Sequence, residues 1–594
     1  MNYTPRGIIY TMQIVIIGGV AGGMSAATRM RRLDENAQIV VLERSGYVSF
    51  ANCGLPYHVG GVIEERSKLL LQTPQSLGAR FGLDVRVDSE VVSIDREART
   101  VRVRTLSAAT EPGAAEEGDA AVAGSTSGAG EAEYDLPYDR LILSPGARPV
   151  RPPIPGIERA LSLRDVEDTD AMVAATAGAS SAVVIGGGFI GVELAENLVH
   201  RGLSVTLVES MPQVMTPLDP EMAHPVHEAL RGAGVNLRLS SSVEAITAEG
   251  VTLAGSGQIG ADVVIAAIGV RPDSSLAAAA GLEVGERGGI VVDEFNRTSD
   301  PLVYAVGDAA EKRDALDGTA VLVPLANTAN LHGRRVADHI AGLDGTARPV
   351  LGTAIVGVFG LQVASAGWNE KRLRASGRDY RAIHTHPASH ATYYPGAEQM
   401  SLKLLLDPDT DEILGAQGVG REGVDRRIDV IATAMTGGIT ASALADLELA
   451  YAPQFSSAKD PVNMLGYIAD NMRTGHAETV QWHELEAALA DGAALIDVRT
   501  PGEFAAGAIP GAVNMQVDDL RESIDEVPQG PVIVHCITVK GKGFKAAEEH
   551  EQDRFHAVGQ INDITGEPLS ATVQATWTDA FAESMVQLGE KHPN

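Results

Sequence analysis

The run Ala182-Val183-Val184-Ile185-Gly186-Gly187-Gly188-Phe189-Ile190-Gly191 constrains this chain more than any other. A strand-like apolar segment meets a glycine cluster, a helical pattern follows from Val192 to His200, and a second apolar segment, Ser204 to Val208, closes on Glu209. Gly186, Gly188 and Gly191 fill all three glycine positions of G-x-G-x-x-G. Glycines there let the backbone turn sharply and approach a pyrophosphate, which the N–H groups at a helix N-terminus stabilise. A strand before, a helix after and an acid ending the next strand separate a dinucleotide-binding unit from a chance turn. The Glu209 carboxylate would accept a hydrogen bond from a ribose 2′-hydroxyl and repel a 2′-phosphate. NADH is therefore expected over NADPH, with NADPH the alternative.

A second copy of this pattern lies near the start. Gln13 to Ile17 reads as a buried strand, Gly18 to Gly23 as a glycine turn, Met24 to Leu33 as a helix and Ile39 to Glu43 as the next strand. Gly18, Gly22 and Gly23 carry the turn, although Val20 stands where the middle glycine belongs. Glu43 is placed to bind ribose hydroxyls. The pattern begins at Met12, the expected start of the folded chain; the residues before it have none.

Downstream of this unit comes Ser49-Phe50-Ala51-Asn52-Cys53-Gly54-Leu55-Pro56-Tyr57, holding one of only two cysteines in 594 residues. A lone cysteine is more often a small buried hydrophobe. Here small and turn-forming residues surround it, which points to redox chemistry beside a cofactor. If a helix begins near Gly54, its N-terminal dipole favours the thiolate, the reactive form.

The chain's length predicts about three to five domains. The formal net charge of −31 argues against nucleic acid and anionic membranes as general partners, so an anionic ligand must find local Arg or Lys. Two cysteines build no disulfide framework, which suits a reducing cytoplasm. No apolar run approaches the roughly 20 residues that span a bilayer, and Ile14 to Ile17 is too short for a secretory signal. Val85 to Ile94 and Thr100 to Leu106 alternate like hairpin strands. Ala108 to Ala132, rich in Ala, Gly, Ser and Glu, reads as a disordered insertion. Tyr138 to Leu143 and Val263 to Ile268 read as strands, as does Val303 to Val306, which ends in Gly307-Asp308, a candidate flavin contact. A third globular part is expected from about residue 350, with a strand over Ser401 to Leu406 and a helix over Asp425 to Met435. Thr474 to Thr479 reads as a linker.

Residues 12 to about 470 resemble the flavoprotein pyridine-nucleotide disulfide oxidoreductases, through the turns at 18–23 and 186–191, Ser144-Pro145-Gly146-Ala147 and Tyr304 to Asp308. Within that family the chain looks most like the coenzyme A-disulfide reductases. The marks are Ser49 to Tyr57 with its single cysteine, Tyr393-Tyr394-Pro395-Gly396, Tyr451-Ala452-Pro453 and Lys459-Asp460-Pro461. The resemblance implies an α/β chain with FAD on a domain made of 12–160 and 291–349, NAD(P)H on 161–290 and an α+β dimerisation domain over 350–472. Glutathione-reductase-type members use a C-x4-C pair, but position 58 is His58. Cys53 must then store its oxidised state as a mixed disulfide or a sulfenic acid; in this group it is a mixed disulfide with coenzyme A. The resemblance further implies a homodimer with shared sites, in which Tyr393 and Tyr451 reach the thiol from the partner and protonate a departing thiolate. The alternative is that both tyrosines only pack an interface. Ser49, Asn52, Arg32 and Lys459 match substrate positions, the two bases pairing with coenzyme A phosphates, against a solvated surface role. His332 lies near a ligand position, with a packed histidine the alternative. No metal is expected.

Ala493 to Asn514 resembles a rhodanese domain through Leu495-Ile496-Asp497-Val498-Arg499, Glu503-Phe504 and Ile509-Pro510-Gly511-Ala512. The resemblance ends at Cys536, so a partial domain is expected over 480–536. A rhodanese cysteine opens a C-x-x-G-x-R loop whose amides cradle the sulfur. Here Val539 and Gly541 stand in place of the glycine and arginine, and sulfurtransferase activity is expected to be absent. Lys540 to Phe544, Phe555 to Gly559 and Trp577-Thr578 instead resemble 1-deoxy-D-xylulose-5-phosphate synthase, making 537–594 a transketolase-family-like fragment, expected to be non-functional, from recombination or a sequence artefact. The expected activity is NAD(P)H-dependent reduction of coenzyme A disulfide or a related persulfide or polysulfide. The close alternative is an NADH oxidase or peroxidase working through a sulfenic acid. A thiamine-dependent transferase, which would need a Gly-Asp-Gly…Asn motif absent here, and a flavin-bearing redox sensor without turnover are the other classes.

Overall fold

The computed structural model describes residues 11–106, 132–255, 257–528 and 532–535. The expected insertion (but for Ala132), Cys536 and the 537–594 segment lie outside the described residues. The chain divides into two compact units, Met1–Thr216 with His227–Gly352, and Pro217–Val226 with Thr353–Asn594.

The first unit holds both glycine-turn sheets. One is five-stranded and parallel, in the order Val303–Ala305, Arg140–Leu143, Gln13–Ile17, Gln38–Leu42, Asp84–Arg86. Its central strands are continuous Ile, Val and Leu runs because helices and loops cover both faces, so no polar alternation is needed. Val15, Val41 and Leu141 are fully buried there. The other sheet is four-stranded and parallel, in the order Asn236–Arg238, Ser204–Val208, Ser181–Ile185, Val263–Ala266. Helices Ala21–Leu33 and Phe189–His200 follow the two glycine turns, each starting three residues before the expected position.

One expected strand breaks in two, and another shortens. Val85 to Ile94 divides at Asp88, whose φ of +49° turns the chain. Its first part joins the parallel sheet, and Ser89–Asp95 pairs antiparallel with Thr100–Thr105, which pairs in turn with Glu133–Pro137. Likewise Tyr138 to Leu143 shortens to Arg140–Leu143, because Tyr138 N–H donates to Arg99 O and leaves the sheet. Apolar patterning marks both segments but says nothing of where the chain leaves one sheet for another.

The second unit centres on a five-stranded antiparallel sheet, ordered Ala354–Val358, Leu361–Gly367, Ile413–Gly420, Met400–Leu406, Arg381–Thr385. Helices Val424–Gly437 and Pro461–Arg473 bury Ile428, Ile431, Val462 and Leu465 in the same core. Pro217–Val226 belongs here, although it follows the nucleotide-type strand Ser204–Val208 in sequence. Lys403, on a central strand and fully buried, explains this. Its Nζ lies 2.9 Å from Asp219 Oδ2, donates to Glu370 Oε1 at 2.5 Å and also to Glu221. Gln417 completes the cluster, donating to Asp219 Oδ2 at 2.6 Å and accepting from Asp219 N–H at 2.7 Å. The tail contributes a three-stranded parallel sheet, Val513–Asn514, Ala494–Asp497, Val532–His535, over Leu485, Leu495, Ile509 and Ile533. Among the described residues, no helix is long and apolar enough to cross a membrane.

Candidate active site

The two glycine turns are built alike. Gly18 has φ +101° and Gly186 φ +105°, backbone that only glycine adopts freely. A methyl group on Gly18 would lie 2.0 Å from Ser144 O, and one on Gly186 2.4 Å from Ala267 O. Gly23 and Gly191 let each helix pack on its turn, since a methyl group on either would overlap the carbonyl of Gly18 or Gly186. Gly22 faces Ser144 Oγ and Val306, and space is open around Gly188. In both units the second glycine donates its N–H to the acid closing the next strand. Gly19 N–H reaches Glu43 Oε2 at 2.8 Å, and Gly187 N–H reaches Glu209 Oε2 at 2.7 Å. Six residues past each acid the chain turns left-handed, at Ser49 (φ +49°) and Met215 (φ +50°). Each of those residues donates its N–H, at 2.8 Å, to the carbonyl of the same glycine. Val20 does not disturb the first copy, because the helix still starts at Ala21.

Neither helix N-terminus has a side-chain cap or an acid in its first turn. Their orphan N–H groups remain available to a pyrophosphate. Glu43 and Glu209 stand at the strand ends, where an acid can accept from ribose hydroxyls. Burial raises the Glu43 carboxyl, opposed by N–H donors from Gly19 and Ser45. Glu209 also accepts from Met211 N–H at 2.8 Å. The residues at the Gly18 and Gly186 turns each fit a dinucleotide, as the family's FAD and NAD(P)H require.

Cys53 is exposed, in a 3₁₀ turn Asn52–Gly54 that leads into helix Leu55–Val59. The expected helix therefore exists, but it does not leave the thiol favoured as thiolate. Packing around Cys53 raises its pKa, and the Glu193 and Asp308 carboxylates raise it further. Burial and these two carboxylates act against the dipole of the five-residue helix. Asn52 Nδ2–H donates to Arg164 O at 2.9 Å, and Arg164 Nη2 lies 3.6 Å from Asp308 Oδ2. Gly307 (φ +75°) precedes Asp308 and faces Ser144 Oγ. Cys53, Asn52, Gly307 and Asp308 are thus gathered in one neighbourhood.

Glu193 was not foreseen from sequence. It lies two residues past Gly191, and Tyr57 O–H donates to its Oε1 at 3.0 Å. Burial raises the Glu193 carboxyl, opposed by that hydrogen bond. The nucleotide-unit helix thereby grips the cysteine helix, and Arg201 Nη1–H adds a bond to Val59 O at 2.7 Å. No sequence signal links residues this far apart. The left-handed Ser49 was equally invisible, since a bend of this kind carries no compositional mark.

His332 is buried, and burial with the nearby Lys312 lowers it to about 4. Lys312 is itself buried, donating to Gly307 O at 2.5 Å, and is lowered to about 8, chiefly by burial. This supports the packed alternative for His332. Arg32 is exposed at the far end of its 13-residue helix, about 20 Å from the glycine turn, with its guanidinium over the Phe81 ring.

In the second unit, Tyr393 and Tyr451 meet, hydroxyl to hydroxyl, at 2.9 Å. That hydrogen bond raises the Tyr393 phenol. Both rings are exposed, at 45% and 49%. Lys459 is exposed on the Tyr451 segment, beside Asp460, which caps helix Pro461–Arg473.

Residues 12–333 match the pyridine nucleotide-disulphide oxidoreductase family, and residues 353–461 match its dimerisation domain. The chain belongs to that family. A coenzyme A disulfide reductase from Staphylococcus aureus (strain JH9) is 34% identical to this pyridine nucleotide-disulphide oxidoreductase over 463 residues, covering 77% of this chain and 99% of the relative. Among solved structures, reduced Bacillus anthracis CoADR-RHD superposes with a TM-score of 0.83 at 46% identity, covering 89% of this chain and 92% of the other. An NAD-dependent persulfide reductase from A. fulgidus superposes with a TM-score of 0.79 at 36% identity, covering 88% and 94%. Residues 481–559 match a rhodanese-like domain, running past Cys536, where the sequence reading ends that resemblance.

Proposed function

We propose that this enzyme reduces coenzyme A disulfide, or a related persulfide or polysulfide, with NADH, through FAD and Cys53, as a homodimer with shared sites. The observation that carries the reading is the isolation of Cys53. Position 58, where a partner thiol would stand, is His58, whose Nδ1 lies 2.6 Å from Ile63 O. An oxidised Cys53 therefore has no protein thiol at that spacing to pair with, and holds either a sulfur from a substrate or a sulfenic oxygen. The similarity to a coenzyme A disulfide reductase and to a persulfide reductase supports the substrate class.

The Cys53 thiolate attacks one sulfur of the disulfide, the S–S bond breaks, and one coenzyme A leaves as a thiolate. A phenol of the Tyr393–Tyr451 pair protonates that leaving group, and Cys53 is left in a mixed disulfide. Bound FAD supplies a relay of two electrons from the nicotinamide to sulfur. Two-electron reduction of the mixed disulfide would release the second thiol and restore Cys53. The balance is one NADH and one proton consumed for two thiols formed. Asn52, next to Cys53 in sequence, and Ser49 are assigned to contact the substrate, and Arg32 and Lys459 offer positive charge to its phosphates. The Tyr393–Tyr451 pair and Lys459 match the coenzyme A-disulfide reductase pattern, and they favour the disulfide over the sulfenic-acid alternative.

Two measurements test this. Cys53→Ser protein co-refolded with Tyr393→Phe,Tyr451→Phe protein is expected to regain activity through heterodimers carrying one intact shared site. No recovery, where wild type refolds normally, would show that each subunit works alone. Separately, kcat/KM is expected to be higher with NADH than with NADPH, because the Glu209 charge opposes a 2′-phosphate. Glu209→Gln should narrow the ratio, and a wild-type ratio of one or below would mean that another group reads the ribose.

A further inference from the structure

Helix Val424–Gly437 carries Arg426 and Arg427 in its first turn. Cations there oppose the helix dipole, and Arg427 is also almost fully buried. Such a local conflict is expected where a residue serves a site rather than the fold alone.

What the two arginines touch explains the placement. Arg426 straddles the Tyr451 segment, with Nη2–H donating to Ala450 O at 2.9 Å and Nη1–H to Phe455 O at 3.1 Å. Arg427 Nη2–H donates to Ser389 O at 2.9 Å, ahead of Tyr393, and to Ser456 Oγ and Asp460 Oδ2, each at 3.1 Å, beyond Tyr451. Asp460 joins the pair, accepting from Ser456 Oγ–H at 2.5 Å and lying 3.6 Å from Arg426 Nη2. The two tyrosine segments also meet directly, where Ala391 N–H donates to Ser456 O at 3.2 Å. Both hydrogen bonds of Arg426 here fix backbone, one on each side of Tyr451.

We propose that Arg426 is a positioning residue for the Tyr393–Tyr451 pair, with buried Arg427 and Asp460 as its anchor. The proposal deepens the reading above and rests on the tyrosines serving as the proton source. The planar guanidinium spans the loop with two diverging N–H groups. An ammonium keeps the charge but lacks the rigid fork of two separate nitrogens that reaches both carbonyls. Arg426 is about one-third exposed, so its replacement tests the loop without emptying the core.

The test measures Arg426→Lys in the wild-type and the Tyr393→Phe,Tyr451→Phe backgrounds, with coenzyme A disulfide as substrate. In the wild-type background kcat is expected to fall about tenfold to a hundredfold, the cost of a catalytic group displaced by about an ångström, with the KM for NADH unchanged. In the phenylalanine background the same change is expected to cost nothing further, since contacts that act through one group are not additive. Amide exchange over 450–456 is expected to quicken in Arg426→Lys. An equal loss in both backgrounds, or wild-type kcat with wild-type exchange, would overturn the proposal. If the phenylalanine protein itself keeps full kcat, the tyrosine reading fails, and exchange alone decides: faster at 450–456 upholds positioning, and unchanged defeats it.

Discussion

Cys53→Ser is expected to lower coenzyme A disulfide reduction by at least about a thousandfold, the scale seen when a covalent nucleophile is removed from a site that otherwise stays assembled. A serine hydroxyl neither attacks a disulfide sulfur near neutral pH nor stores a sulfur afterwards. The substitution is nearly isosteric at an exposed position, so flavin content and thermal stability should be preserved. Steady-state NADH consumption with coenzyme A disulfide measures the loss. Mass spectrometry of the oxidised wild type should show a coenzyme A adduct on Cys53, and a stable oxidised sulfur without coenzyme A would favour the peroxidase reading. Cys536→Ala serves as the control and should retain the wild-type rate. A Cys53→Ser enzyme turning over normally would remove Cys53 from the mechanism.

Lys403→Met is expected to destabilise the second unit by about 3–5 kcal/mol, because it takes the buried cation from Asp219 and leaves Glu370 only its pairing with the half-exposed Arg374. The midpoint of the corresponding thermal transition should fall by about 10 °C. Adding Asp219→Asn and Glu370→Gln should restore part of that loss. The effect also has a pH window. Burial pushes Glu221 up, but hydrogen bonds and charge from His384 and Lys403 outweigh it and hold the carboxyl at about 2. Glu370 is lowered in the same way, burial being outweighed by Lys403 and Tyr380. Lys403 is raised, because its three carboxylates outweigh its burial. Depressed acids stabilise above their ordinary range, near 4, and lose that contribution as pH falls through their folded values. The raised lysine stabilises below its ordinary value, near 10, and loses that contribution as pH rises through its folded value. The gap between wild type and Lys403→Met should thus be widest from about pH 5 to 10 and narrow below about pH 4. A Lys403→Met midpoint within a degree of wild type would contradict this account.

Local patterns made much of this molecule legible. Gly18 to Gly23 and Gly186 to Gly191 announce their turns because few residues satisfy such backbone, and the apolar runs beside them announce buried parallel strands. The Tyr393-Tyr394-Pro395-Gly396 and Tyr451-Ala452-Pro453 motifs pointed to two tyrosines that do meet, 58 positions apart. What stayed hidden depends on long-range assembly. Glu193 reads as an ordinary helix acid until Tyr57 is folded against it. Lys403 reads as the polar interruption of an apolar strand until three acids converge on it. Arg426 and Arg427 read as solvated charges, because carbonyl acceptors carry no residue identity. The thiolate expectation for Cys53 failed for the same reason: helix position is local, but Glu193 and Asp308 arrive from elsewhere.

The placement of Pro217–Val226 with the second unit bears on how such a chain is exchanged or trimmed. A chimera joined at residue 352 would part Lys403 from Asp219 and Glu221, pairing each with whatever the donor protein supplies. A transplant of the dimerisation module has to carry this ten-residue loan from the nucleotide half with it. The smallest portable piece of this protein is therefore discontinuous, and shuffling that honours the sequence boundary alone cuts through a closed circuit of charge.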